Sequence, residues 1–483
     1  MQGRTGERMV DLETTRVENG VLLLINALNQ RNEDRLPIES KLIEDLETSR
    51  HTLRKVIEKF ASEGILQKVQ GKGTFIVSNR KSINFSGWIG TEPPGDIFVQ
   101  KMVASFETSA PGYRLQYTPI PYYQTVEQLV RLALTGRMPD VMQLVPHFLG
   151  ILSDFDLLMP LDRYLNHNDL KKRYPIDVES GRIEKKLVSL SWALSPLILY
   201  CNRNVLKRTG LDPDTVPATL DELFEICVKV NSTGDSGTWG ICLPVTTYDP
   251  AFLWLYPYFL SFRGGFSDAL GNITVDSAEN ANALRWITDL FRKGAVPGTK
   301  GIHDGRILFA SDRIAFWIDG PWMKGLFRQL SSHRDDFDTH YNIAKIPVGP
   351  SQRSESILFS HHLAISQQCR DIDSAYRWID FLTTNEDFIT YYFRSAGCLP
   401  PMRDILDKPV FRDDPFASVC IDQMETVSTV PLNQRLFTRS LSFVSQAILR
   451  VVTGQVGPEE VLEELKTIIH MIRQSAFLGI YSH

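Results

Sequence analysis

Residues 48–75 read TSRHTLRKVIEKFASEGILQKVQGKGTF, and this run constrains the fold more than any other part of the chain. Ser49 is a good N-cap, and the spacing after it predicts a helix over 50–62. Leu53, Val56, Ile57 and Phe60 fall at i, i+3, i+4 and i+7, a single apolar stripe. Arg50, His51, Arg54 and Lys55 lie on its other faces, near the N-terminal end. Gly64 stops the helix as a C′ residue. The ILQKVQGKGTFIV segment then alternates as a strand, tightens at Gly71-Lys72-Gly73 and returns as a second strand. Upstream, Val21 to Leu28 reads as the core face of a first helix. Pro37 reads as the opener of a short second helix that runs to about Leu46, before a tight break at Glu47-Thr48. Helix, turn, helix and a basic-tipped hairpin make a winged helix-turn-helix. The major groove of double-stranded DNA admits one such helix, and a glycine-flanked lysine can approach the backbone without a Cβ clash.

The charge distribution agrees. The 483-residue chain has a formal net charge of −5, yet from Arg50 to Arg80 seven Lys or Arg stand against two Glu. A mildly acidic chain with one basic segment implies a local anionic partner. A chain of this length exceeds one core. The boundary falls near residue 80, with a DNA-binding domain over 1–80 and an effector domain over 81–483. The six cysteines, at 201, 227, 242, 369, 398 and 420, form no Cys-x-x-Cys pair, which suits buried thiols in a reducing compartment. The first twenty residues are polar and charged, unlike a secretory signal, and no segment reaches the ~20 apolar residues of a membrane span. The expected location is cytoplasmic, with no membrane partner.

Residues 35 to 77 resemble the DNA-binding domain of the GntR family of bacterial transcription regulators. The likeness runs through Leu36-Pro37-x-Glu39, Leu42, Ser49-Arg50, Thr52-Leu53-Arg54, Glu63-Gly64-Ile65-Leu66 and Gly71-Lys72-Gly73-Thr74-Phe75. It implies that Arg50 and Arg54 meet guanine edges and phosphates and that Thr52 meets a phosphate. Gly71, Lys72 and Gly73 would form the wing contact, and a homodimer would bind a two-fold operator. Ile38 stands where the family usually has a Ser, and Glu47 where a turn often has Gly or Asn.

After Ser82 the chain becomes aromatic-rich and alternates strand with helix. Strands are expected over Ile83 to Ile89, Arg114 to Thr118 and Val141 to Leu144, and helices over Phe98 to Ser109 and Thr125 to Leu134. The amphipathic Pro458 to Ile472 segment closes the chain, and the alternation predicts an α/β architecture. There is no Gly-x-Ser-x-Gly, no phosphate-binding glycine loop and no His-Glu-x-x-His. His361-His362 is the one adjacent histidine pair, and neighbours on a strand point apart, so no metal site is expected. No cofactor and no enzymatic activity are expected either.

This second part resembles the periplasmic-type extracellular solute-binding proteins, the sugar-binding class that includes maltose-binding protein. The resemblance rests on the 138–141 (MPDV), 157–162 (LLMPLD), 199–203 (LYCNR), 209–213 (TGLDP), 315–322 (AFWIDGPW), 345–350 (KIPVGP) and 363–366 (LAIS) segments, in that order. It implies two α/β lobes joined by a hinge, with ligand in the cleft. Carried onto this chain, Trp322 would stack on a sugar ring, with Asp319 on the same loop. His147 and Phe148 would offer ligand contacts, Trp192 and Ser195 would reach the cleft just before the hinge, and His361 would stand where many relatives have Gly-Gly. The implied protein is a transcription regulator that couples lobe closure on a small solute, a sugar or oligosaccharide, to operator affinity. A peptide or charged-metabolite sensor and an enzyme acting on a sugar are the other readings.

Overall fold

The computed structural model describes residues 3–30, 33, 35–77, 80–91, 95–165, 167–247, 251–268, 272–333, 336–428, 430 and 435–477. The N-terminal unit packs three helices, Gly3–Gln30, Glu39–Asp45 and Arg50–Ser62, against a hairpin of Leu66–Val69 and Gly73–Ile76. Its core joins Val21, Ile25 and Leu28 of the first helix to Leu42, Leu53, Val56, Ile57 and Phe60. Ser49 caps the third helix, its Oγ accepting from the Thr52 amide at 3.1 Å. The break before it requires Glu47 at a φ of +45°, a left-handed conformation in which glycine would be unstrained.

Pro37 does not open the second helix. That helix starts at Glu39, behind an extended Ile38. The reason is tertiary: Arg35 bridges antiparallel to Phe75, and the Leu36 amide donates to the Thr74 carbonyl at 3.0 Å. The segment before the helix is thereby held extended, by a single bridge beside the two-stranded wing.

The remainder forms two lobes. The first centres on a sheet whose strands lie in the order Tyr113–Pro119, Lys81–Gly87, Val141–Leu144, His361–Ile365, Leu190–Ala193. The second centres on the order Trp239–Ile241, Ile314–Asp319, Ile198–Asn202, Tyr341–Ala344. Each sheet mixes parallel and antiparallel neighbours, because the chain crosses between lobes and returns. The crossings lie side by side: the Leu197 amide donates to the Ile357 carbonyl at 3.1 Å, the Phe359 amide to Ser195 at 2.8 Å, and the Leu194 amide to Leu399 at 2.8 Å. Helices Arg435–Val452 and Pro458–Phe477 pack on the second lobe. A salt link returns to the first lobe where Arg435 and Arg439 both hold Asp154, at 2.9 and 2.8 Å.

The two units meet at Arg80. Its guanidinium donates to Asn26 Oδ1 of the first helix at 3.0 Å and to Glu107 Oε2 of the first lobe at 3.3 Å. The side chain is 9 % exposed, and burial pulls its pKa below the ordinary value. Glu107 is itself anchored, its other oxygen accepting the Leu115 amide at 3.0 Å.

Ser49→Ala removes a cap from the helix that organises the N-terminal core. Urea unfolding followed by hydrogen exchange should show that helix weakened by about 1 kcal/mol, with the lobes unchanged.

Candidate functional site

Between the lobes lies a cleft with aromatic walls. Trp88, Ile89, Tyr122, Gln143 and His361 face it from the first lobe, and Trp254, Arg306 and Trp322 from the second. Trp88 and Ile89 follow directly on the Lys81–Gly87 strand, and Trp322 follows the Ile314–Asp319 strand through Gly320 and Pro321. Strand ends therefore deliver the key rings, as is usual for clefts in α/β folds.

The rings are mutually oriented. Trp322 and His361 lie nearly parallel, 6.0 Å apart at 17°, and Phe359 meets Trp322 edge-on at 5.9 Å. Trp88 stands edge-on to both His361 and Tyr122, at 5.5 and 5.2 Å. Trp322 folds back over Gly320, where any Cβ would collide with the indole. This close approach is why glycine precedes the Pro-Trp pair.

Asp319 organises the second wall from beneath. It is fully buried and accepts from Arg306 Nε at 2.7 Å and Nη2 at 3.1 Å, Trp317 Nε1 at 2.9 Å and Trp254 Nε1 at 3.2 Å. Its own loop adds the Gly320 amide at 2.9 Å. A buried carboxylate needs such compensation, and the bidentate arginine supplies the charge. Arg306 in turn lies about 6 Å from the ring centres of both Trp254 and Trp322.

On the N-terminal unit, Arg50, His51, Arg54, Lys55 and Lys72 are exposed. Arg54 is held by a bidentate pair with Glu39, at 2.6 and 3.1 Å. That hydrogen-bonded pairing lowers the Glu39 pKa and raises that of Arg54. Gly71 and Gly73 take φ of +73° and +117°, and the Arg35 guanidinium packs against Gly73.

Among known families, the model described as "Bacterial extracellular solute-binding protein" matches residues 90–387, and "Bacterial regulatory proteins, gntR family" matches residues 14–76. The chain belongs to the bacterial extracellular solute-binding protein family and carries a GntR domain at its front. A maltotriose-binding protein from Pyrococcus abyssi is 19 % identical over 334 residues, 68 % of each chain. Among solved structures, the GacH receptor of Streptomyces glaucescens superposes with a TM-score of 0.70 at 19 % identity, covering 80 % of this chain and 97 % of its own. A Thermotoga lettingae solute-binding protein bound to α-D-tagatose gives 0.72 at 19 %, covering 81 % and 99 %. Maltose-bound T. maritima MalE3 gives 0.70 at 21 %, with the same coverage. These structural likenesses establish the two-lobed solute-binding fold.

Around this cleft the structure separates the residues that sequence reasoning grouped together. Trp322 and His361 line it. Asp319 lies below the wall, fully engaged by its five donors. His147 and Phe148 sit behind Tyr122, whose hydroxyl shares a hydrogen bond with His147 Nε2 at 3.2 Å. Trp192 stacks beneath Tyr392 at 4.6 Å and 9°, and Ser195 belongs to the hinge crossing. In the N-terminal unit, Thr52 is 9 % exposed, with its hydroxyl 2.9 Å from that of Ser49. Trp88, Tyr122, Gln143, Arg306 and Tyr392 were not anticipated. A tryptophan at the end of the first strand was the available signal for Trp88. Nothing local marks Arg306, on a helix over Ile302–Ala310. Among the described residues no group of three metal-ligating side chains converges, and no helix is long and apolar enough to cross a membrane.

The histidine pair does point apart. His361 faces the cleft, with Nδ1 3.2 Å from the Tyr392 hydroxyl. His362 turns into the first lobe between Ser180 and Ser189, at 3.1 and 2.9 Å. Burial pushes His361 down to about 4, and His147 and His362 to about 3, from an ordinary 6.5. Such histidines remain neutral when folded but accept protons when unfolded. Their contribution is complete above about pH 6.5 and is lost as pH falls toward 4. The melting temperature should therefore drop steadily from pH 7 to 4.5, and His362→Gln should flatten that slope. A slope unchanged by the substitution would contradict the assignment.

Proposed function

We propose that this protein is a transcription regulator whose solute-binding cleft senses a sugar or oligosaccharide and controls the affinity of its GntR domain for operator DNA. The supporting observation is the connection between the two units. The Lys81–Gly87 strand begins beside Arg80 at the junction and ends at Trp88 and Ile89 in the cleft wall. Seven residues of strand reach roughly 20 Å. A rigid strand with the cleft at one end and a buried guanidinium tie at the other offers a direct mechanical route.

The cleft suits an uncharged ring. Flat apolar faces of a sugar can lie on Trp322, Trp254 or Trp88, while placed polar groups bond its hydroxyls. Arg306, the cation on the wall, is already balanced by Asp319. On the DNA side, Arg50 at the first turn of the third helix would read base edges. Arg54, oriented by Glu39, would meet the duplex beside it, and Lys72 at the wing would meet the backbone. In a homodimer, half-site spacing is fixed, so any reorientation of the GntR domains by lobe closure changes affinity. Ligand must prefer one lobe angle for this to operate.

The test is operator binding by the full chain, with a duplex selected from random sequence, titrated in the presence and absence of a sugar panel. Operator affinity independent of every sugar that binds the cleft would eliminate the coupling. Arg50→Ala should weaken operator binding by about 1–3 kcal/mol, measured by fluorescence anisotropy. Arg80→Met should preserve sugar binding and operator binding taken separately while reducing the effect of one on the other. An unreduced effect would assign the coupling to another contact.

A further inference from the structure

Among the described residues that line the cleft, two buried donors have no hydrogen-bond partner: Gln143 Nε2 and Trp322 Nε1. Gln143 is 1 % exposed, on the Val141–Leu144 strand of the first lobe, and its side chain lines the cleft. Its Oε1 accepts the Ile89 amide at 3.3 Å. That bond identifies the carbonyl end of the side chain and leaves the NH2 end as a donor. The side chain packs over Gly87, where a Cβ would collide with it, so it has little room to turn away. Trp322 stands on the second lobe, and its indole nitrogen can only donate. Buried donors are nearly always satisfied, so each such orphan calls for an explanation.

We propose that these two N–H groups are the ligand-reading donors of the cleft, one on each lobe, and that the effector is an uncharged sugar presenting an acceptor oxygen to both at once. The inference rests on the carbohydrate-sensing reading and adds the contacts that select the ligand. Trp322 then has two roles, an apolar face for the ring and an edge donor for one of its oxygens. The balanced Arg306–Asp319 pair leaves no excess charge on that wall, so hydroxyl or ring oxygens suffice as acceptors. Because the donors belong to different lobes, a sugar that satisfies both is bound best at one lobe angle. It therefore selects that angle, which is what coupling to the GntR domain requires.

The test uses isothermal titration of the full chain with maltose, maltotriose, tagatose and mannitol. Gln143→Glu keeps the oxygen that Ile89 uses and replaces the donor by an acceptor; Gln143→Met is the companion variant if a buried carboxylate prevents folding. Trp322→Phe keeps an aromatic face and removes only the N–H. A sugar bound by wild type should bind about tenfold or more weakly to each cooperatively melting variant. Equal affinity in both variants would overturn the proposal and leave the sugar-sensing reading standing. Failure of wild type to bind any of the four would overturn the proposal for these sugars' shared acceptor oxygens, while the wider sugar panel titrated against operator binding decides the sensing reading separately.

Discussion

The cleft depends on one buried carboxylate. Asp319 ends the central Ile314–Asp319 strand of the second lobe, and it holds an arginine and two indoles from three different elements. A carboxylate with no exposure is tolerable only if its lone pairs are filled, here by an arginine, two indoles and a backbone amide. Satisfying it fixes Arg306, Trp254 and Trp317 relative to the strand, and Gly320 then carries the chain into the turn that presents Trp322. The aromatic wall is thus a consequence of electrostatic bookkeeping beneath it. A ligand that stacks there meets rings already in place, which reduces the ordering cost of binding.

The first lobe is arranged differently. Its wall is built from the ends of strands, with Trp88 and Ile89 beyond one strand, Gln143 within the next and His361 at the start of a third. The buried Arg173–Asp177 pair of this lobe holds Ser191 on the neighbouring Leu190–Ala193 strand and includes none of them. Instead, edge-on rings and the His361–Tyr392 hydrogen bond set their orientation. The two lobes therefore meet a ligand with unlike surfaces, one anchored by charge and one by packing. Across the hinge they are joined by backbone pairing between crossing segments and, further out, by the grip of Arg435 and Arg439 on Asp154.

The junction with the GntR domain follows the same logic on a smaller scale. Arg80 is a mostly buried cation shared between Asn26 and Glu107, and two of its nitrogens, Nε and Nη2, lack hydrogen-bond partners. Such a contact is strong enough to define a position yet incompletely satisfied. It lies at the start of the strand that leads to the cleft.

Local pattern was sufficient for the helix over Arg50–Ser62, with its Ser49 cap and apolar stripe, for the Thr125–Leu134 helix and for the Val141–Leu144 strand. In each, the signal lies within a few residues and tertiary contacts reinforce it. The ordered motifs also disclosed both families. What the sequence alone could not decide was which residues reach the cleft. Asp319 and Trp322 are three positions apart, yet one is sealed beneath the wall and the other lines it. His147 and Tyr122 share a hydrogen bond, yet only the tyrosine lines the cleft. Arg306 and Gln143 carry no motif at all. Pro37 likewise lost its place in a helix because Arg35 and Leu36, just before it, are held extended against Phe75 and Thr74. Periodicity and capping are short-range properties that a sequence states directly. Exposure to a cleft between lobes depends on contacts between distant segments, and only the tertiary structure brings those together.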